Sequence, residues 1–248
     1  MMECKKALVE CEGNIEKALD LLRSNSALKA EKKAARVAAD GVLKIFVGNE
    51  YATLIEINSE TDFAAKDSNF VDFTNEVHDF IAKNKISDIS QLHESEIEEK
   101  RKSLVQTIGE NIQLRRLITK DFSSDMNAGS YIHSDSKLGA VVVIFGGDES
   151  LAKDIAMHIA AQKPLYLDRT QVDQETLDHE KHILTQQALL EGKPEAIVEK
   201  MVIGRVNKYL QDICLVDQGF VKDPDTKVSA YLKANKTSVL SFIRLEVG

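Results

Sequence analysis

The chain has 248 residues, 43% of them hydrophobic and 29% charged, with a formal net charge of −8. This is enough apolar material for one sizeable core or two smaller ones, and the acidic balance argues against a protein that holds nucleic acid directly by neutralising phosphates. The longest apolar run, Leu138 to Phe145, falls far short of the ~18 residues of a membrane helix. No signal-like apolar segment opens the chain, so a cytoplasmic location without a membrane partner is expected.

The first elements are two short helices, Met2 to about Val9 and Asn14 to Arg23, with Gly13 stopping one and Asn14 capping the next. Cys4, Leu8, Ile15, Ala18, Leu19 and Leu22 give this pair one apolar side at helical spacing. Two such helices cannot enclose a core alone. An Ala- and Lys-rich helical connector follows from Ala27 to Ala39. Its cations Lys29, Lys32, Lys33 and Arg36 form a local basic patch, which reads first as a solvated helix end and second as an RNA contact.

Val42 to Val47 and Ala52 to Ile57 are β-rich runs around the hairpin signal Gly48-Asn49-Glu50, and a helix follows from about Asn69 to Lys83. A longer helical stretch is expected from Ser95 to Ile118. The plan then repeats, with strands at Ser130 to His133 and Ala140 to Phe145, a helix from about Leu151 to Gln162 and a closing strand, Val239 to Val247. Between about 168 and 213 lie two helices joined at Gly192-Lys193-Pro194. Leu177, Leu184 and Ala188 on one can face Val198, Val202, Val206 and Tyr209 on the other, as in an antiparallel coiled-coil hairpin.

The fold class expected is therefore α+β, in three parts. Residues 1–38 form an N-terminal helical domain and connector. Residues 39–125 and 126–248 form two pseudo-repeated subdomains of antiparallel sheet plus helix, the second carrying the hairpin insertion.

Catalytic motifs are nearly absent. The chain has no phosphate-cradling glycine loop, no serine between spaced glycines and no dinucleotide fingerprint. Two histidines three apart, in His179-Glu180-Lys181-His182, are one residue short of zinc-protease spacing, so a metal-dependent hydrolase is only a rival reading. His78 and His158 lie on the inner sides of amphipathic helices and are expected to be packed core histidines. Cys4, Cys11 and Cys214 form an odd set without paired ligand spacing, which points to reduced thiols. No cofactor and no metal are expected.

The segment Asn58-Ser59-Glu60-Thr61-Asp62-Phe63-Ala64-Ala65-Lys66-Asp67 sets a large aromatic beside an acid in a polar turn between a strand and a helix. By local chemistry alone, Phe63 either staples the helix start, with Asp62 or Asp67 as its cap, or points outward at a partner. Read together with Met1-Met2-Glu3-Cys4-Lys5-Lys6-Ala7-Leu8 and Ile108-Gly109-Glu110-Asn111-Ile112, this segment makes the chain resemble bacterial elongation factor Ts nearly end to end.

That resemblance implies a guanine-nucleotide exchange factor whose partner is elongation factor Tu, acting by binding rather than as an enzyme. Asp62 and Phe63 would match the pair that this family inserts between two helices of the partner near its magnesium site. Thr61, Lys66 and Asp67 complete the motif, and Met1, Met2 and Lys5 would lie in the element that docks on the partner's nucleotide domain. Ile108, Gly109 and His133 match further contact positions. The family commonly has a helix and a Thr-Gly-x-Gly turn ahead of Met-Met and another helix after the last strand. The resemblance thus implies a ubiquitin-associated-like N-terminal domain lacking its first helix, in a truncated chain. The alternative function is a ribosome- or RNA-associated structural protein that uses the Lys29 to Arg36 patch and the helical arm. Oligomeric state is not set by the sequence.

Overall fold

The computed structural model describes residues 2–191 and 194–248 and combines helices with antiparallel sheet, an α+β fold. It separates into two compact units. One holds the chain up to Asp121 with Ile132–Gly139 and Leu245–Gly248, and the other holds Phe122–Tyr131 and Ala140–Arg244. Among the described residues no helix is long and apolar enough to cross a membrane.

The first unit opens with α1 (Met2–Glu10) and α2 (Ile15–Lys33). Gly13 donates back to the Leu8 carbonyl at 2.8 Å, and the Asn14 side chain accepts from Lys17 N at 3.0 Å, so stop and cap fall where the sequence puts them. One expectation changes: the second helix and the connector are one continuous 19-residue helix, since no breaker falls between Arg23 and Lys33. The apolar side, for which the two helices offer no cover, points outward, with Leu8 38%, Ile15 67% and Leu19 54% exposed. The small residues Ala7, Ala18, Ser26 and Ala30 are buried. Toward α6, Ala30 joins the core with Leu104 and Val105, and the Ser26 hydroxyl hydrogen-bonds the Gln106 side chain.

Strands β1 (Asp40–Val47) and β2 (Tyr51–Ser59) form the expected hairpin. A short helix α3 (Asp62–Ala65) leads into α4 (Ser68–Asn84), which the Asp67 carboxylate caps by accepting Asn69 N at 2.8 Å. Helix α4 lays Phe70, Phe73, Val77 and Ile81, at helical spacing, against Ile55 and Ile57 of β2. After α5 (Ile89–His93), α6 (Glu96–Ile108) adds Ile97, Leu104 and Val105 to the same core. It ends at Gly109, whose φ of +88° is the left-handed conformation that glycine adopts without strain.

The expected helix from Ser95 to Ile118 is therefore wrong beyond Ile108. Residues Gln113–Asp121 are strand β3, the third strand in the order β1-β2-β3. Glu56 pairs with Arg116 and Ile57 with Leu114, which leaves Arg115 as a bulge. The extra residue lets Leu114 and Leu117, three apart, share one face of the sheet, a spacing that in sequence reads as helical. Pairing with β2 overrides that local pattern.

In the second unit, β4 (Met126–Ile132), β5 (Leu138–Phe145) and β8 (Ser238–Glu246) form a sheet in the order β4-β5-β8. Helix α7 (Glu149–Gln162) packs where Gly129 leaves room. A Cβ there would sit 2.3 Å from the Ala152 carbonyl carbon. The hairpin α8 (Gln174–Leu190) and α9 (Glu195–Ile213) buries Ala188 against Val198 and Val202, with Val206 beside them. Leu177 and Tyr209 pack at its root with Val172, Ile213 and Cys214. Pro194 precedes α9, while Gly192 and Lys193 lie outside the described residues. Strands β6 (Gly219–Phe220) and β7 (Asp223–Lys227) and helix α10 (Val228–Ala234) complete the unit.

The two helix histidines part company. His158 is fully buried, its Nε2 donating to Gln218 Oε1 at 3.0 Å and its Nδ1 accepting the Val221 N–H at 3.1 Å. His78, expected in the core, is half-exposed beside Asp79, because α4 buries the 70-73-77-81 stripe and position 78 falls at its edge. The thiols of Cys4, Cys11 and Cys214 are free.

Two outcomes follow from this packing. Burial lowers the pKa of His158 below its ordinary 6.5, against the weaker opposing pull of Gln218. The unfolded chain therefore takes up the proton first, and His158 contributes stability that is full above that pH and lost as pH falls below it. Urea melts at pH 7.5 and 5.5 should show a smaller acid loss in His158→Gln than in the parent chain; equal losses would exclude a neutral buried ring. Replacing residues 178–206 by a short turn should leave the melting temperature within a few degrees, because the removed helices bury their apolar faces mainly on each other.

Candidate functional site

Phe63 is 82% exposed, the most exposed aromatic side chain among the described residues, while its neighbours Ala64 and Ala65 are buried. It stands on α3, whose N-cap is Thr61, the Thr61 hydroxyl accepting Ala64 N at 3.3 Å. Phe63 therefore does not staple a helix start. Asp62 beside it takes an ion pair of 2.7 Å from Lys66, one turn on. That Lys66 contact, ahead of other causes, holds the Asp62 carboxyl below its ordinary range. Asp67 is likewise lowered, chiefly by Asn69.

Three other segments meet this turn. The Glu110 carboxylate takes the Thr61 N–H at 3.0 Å and the Thr61 O–H at 2.8 Å. Glu60 accepts the Asn111 N–H at 2.7 Å and pairs with Arg36 at 3.5 Å. Lys33, at the end of α2, donates to the Gly109 carbonyl. Ile108 is half-buried on the core and Gly109 is exposed, so of the Ile108-Gly109 pair the glycine presents the accessible backbone.

His133 lies just past β4, half-exposed, with its ring 3.0 Å from Asp135. Its turn continues through Asp135, Ser136 and Lys137, which line a cleft of about 360 Å3 with Asp40, Asp62 and Lys66. Lys137 is tied to Asp40 at 2.8 Å, a bond that raises its pKa. Asp62 and Lys66 thus share a cleft with the turn after His133, and Thr61 is bonded to the segment that follows Gly109. Met2, 69% exposed, and Lys5 lie on α1, which packs on α2, and Met1 lies outside the described residues.

Nothing in this arrangement resembles a reaction centre. Among the described residues no group of three or more His, Cys, Asp or Glu could hold a metal, and His179 and His182 are exposed on α8. What the site offers is an ordered, protruding aromatic with an acid beside it. Glu110, which carries the cap, was missed as a site residue in the sequence. Its only sequence signal was adjacency to Gly109.

The family model described as Elongation factor TS matches residues 60–248, from the base of the Phe63 turn through the second unit. The chain is 50% identical to elongation factor Ts of Hahella chejuensis (strain KCTC 2396) over 250 aligned residues, covering all of this chain and 86% of that relative. The chain belongs to the elongation factor Ts family. Elongation factor Ts of Marinobacter nauticus (strain ATCC 700491 / DSM 11845 / VT8) is 48% identical over the same spans. Membership makes a role in translation elongation the frame in which the exposed Phe63 is to be understood.

Exposure of the ring has a direct energetic consequence. Phe63→Ala should change folding stability by less than ~1 kcal/mol, whereas Phe70→Ala, which empties a fully buried site, should cost ~3–5 kcal/mol. Chemical denaturation of the two variants checks the contrast.

Proposed function

We propose that this elongation factor Ts family member promotes GDP release from elongation factor Tu in the cytoplasm, by binding and without chemistry of its own. The observation that carries this reading is Phe63, held 82% exposed on a capped turn with Asp62 at its side. A GTPase retains GDP through backbone amides, a lysine and magnesium, so anything that displaces the metal and the phosphate loop weakens the nucleotide. In this mechanism Phe63 enters between two helices of the partner, and Asp62 disturbs the polar network around magnesium. The ion pair with Lys66 keeps Asp62 ionised for that task. Thr61, Asp67, Ile108, Gly109 and His133 complete the contact surface around the probe.

Helix α1, with Met2 and Lys5, serves together with Met1 of the sequence ahead of it as a separate anchor in a small ubiquitin-associated-like module. Its exposed Met2, Leu8 and Val9 supply apolar contact area. Coupling is reciprocal. The chain must hold the nucleotide-free partner more tightly than the GDP-bound one, and incoming GTP then releases it by the same free energy.

The RNA-binding alternative has less support. Lys33 is committed to the Gly109 carbonyl and Arg36 to Glu60, so the Lys29 to Arg36 patch already serves internal bonds.

The test is release of fluorescent GDP from elongation factor Tu with and without this chain. The parent chain should accelerate it, and Phe63→Ala should lose roughly tenfold or more of the acceleration, the scale of a buried aromatic anchor at an interface. Acceleration by the parent chain that is unaffected in Phe63→Ala would move the probe elsewhere.

A further inference from the structure

Asp62 and Phe63 stand on a helix too short to hold itself. Helix α3 has four residues, closed by the N–H groups of Ala65, Lys66 and Asp67 on the carbonyls of Thr61, Phe63 and Ala64, few bonds for the dihedral freedom given up. Glu110 adds two bonds to its N-cap residue. One carboxylate oxygen takes the Thr61 N–H and the other takes the Thr61 hydroxyl proton. Because that proton is directed at Glu110, the lone pairs of Thr61 Oγ1 are left to accept the Ala64 N–H, which is the cap of α3. The Ser59 hydroxyl, donating to the Thr61 carbonyl at 2.9 Å, closes the other side of the same residue.

Glu110 is itself fixed from both flanks. Gly109 ends α6 through its N–H to the Val105 carbonyl, and its own carbonyl accepts Lys33. Asn111 donates its N–H to Glu60 and its side-chain amide to the Arg36 carbonyl at 2.8 Å. The 109–111 turn is therefore tied at once to the end of α6, to the end of α2 and to the turn that carries Phe63.

We propose that Glu110 is the positioning residue of this site: its two-point clamp on Thr61 holds the Asp62-Phe63 turn in the orientation that acts on the partner's nucleotide site. This rests on the exchange reading above. Glu110 acts through Thr61 and Phe63, not by touching the nucleotide or its metal. Removing the clamp leaves the α1 anchor in place, so the loss should fall on the saturating rate of GDP release rather than on the concentration needed for half-maximal effect.

The experiment compares the parent chain, Glu110→Ala, Glu110→Gln, Phe63→Ala and the Phe63→Ala/Glu110→Ala pair by GDP release over a full concentration range. Amide exchange of the free proteins is measured beside it. Glu110→Ala should lower the saturating rate roughly tenfold, as expected for losing two bonds to a charged acceptor. Glu110→Gln should recover part of it, since its amide oxygen can still accept one Thr61 proton. In the Phe63→Ala background, Glu110→Ala should cost clearly less than it does alone, because the ring is gone and only Asp62 is left to position.

The amides of Thr61 and Ala64 should exchange faster in Glu110→Ala while that of Val77, in the α4 core, is unchanged. Additive losses in the pair, or unchanged exchange at Ala64, would overturn the proposal. If the parent chain itself fails to speed GDP release, the exchange reading falls, and with it the role given to Glu110. The amide data then decide whether the clamp exists as a structural device.

Discussion

The first unit is organised around one buried carboxylate. Glu56 sits fully buried in the middle of the central strand β2, where an unpaired charge would cost several kcal/mol. Burial alone would push its pKa up. Hydrogen bonds from Arg116 and Asn58 and from the Gly248 N–H, with the Arg116 charge, outweigh it and hold the group ionised. The bulge at Arg115 makes this possible. Without the extra residue, adjacent side chains of β3 would point to opposite faces, yet Arg115 and Arg116 both reach Glu56. Asn58 carries the same network to β1 through the Asp40 carbonyl, so a single acid ties three strands together.

An exposed ring needs support from behind. Phe63 gains nothing from the protein's own core, so its position must come from bonds made by its neighbours. These are made by residues at the ends of regular elements: Thr61 after β2, Glu110 after α6, Lys33 at the end of α2 and Arg36 just beyond it. Element ends have backbone groups without helix or strand partners, and here those groups are used to bind one turn to another. Order is supplied behind the ring and exposure is left in front of it.

The second unit solves a different problem with the same economy. Its hairpin arm buries a narrow seam of Ala188, Val198 and Val202 and is anchored by the cluster around Ile213 and Cys214. Near its root, His158 and Gln218 form a satisfied polar pair in an apolar setting, and Gln218 passes its amide protons to the Gln162 and Asp212 carbonyls. The ring is a structural acceptor and donor, and its burial lowers its pKa.

Much of this was present in the sequence. The hairpin of β1 and β2, the caps at Asn14 and Asp67, the coiled-coil seam and the unusual Asp62-Phe63 pair all depend on residues close together in the chain, where turn chemistry and periodicity are strong signals. The family resemblance also rested on short contiguous motifs. Other features were invisible because they depend on distant partners. Leu114 and Leu117 carry a helical spacing, and only pairing with β2 turns them into strand around a bulge. The packing of α2 on α6 through Ser26 and Ala30 depends on residues some 80 positions apart. Nothing near Glu110 in sequence announces Thr61, 49 residues away. Short-range preference could single out the Asp62-Phe63 pair, but its support is a set of long-range bonds whose free energy exists only once the chain has closed on itself.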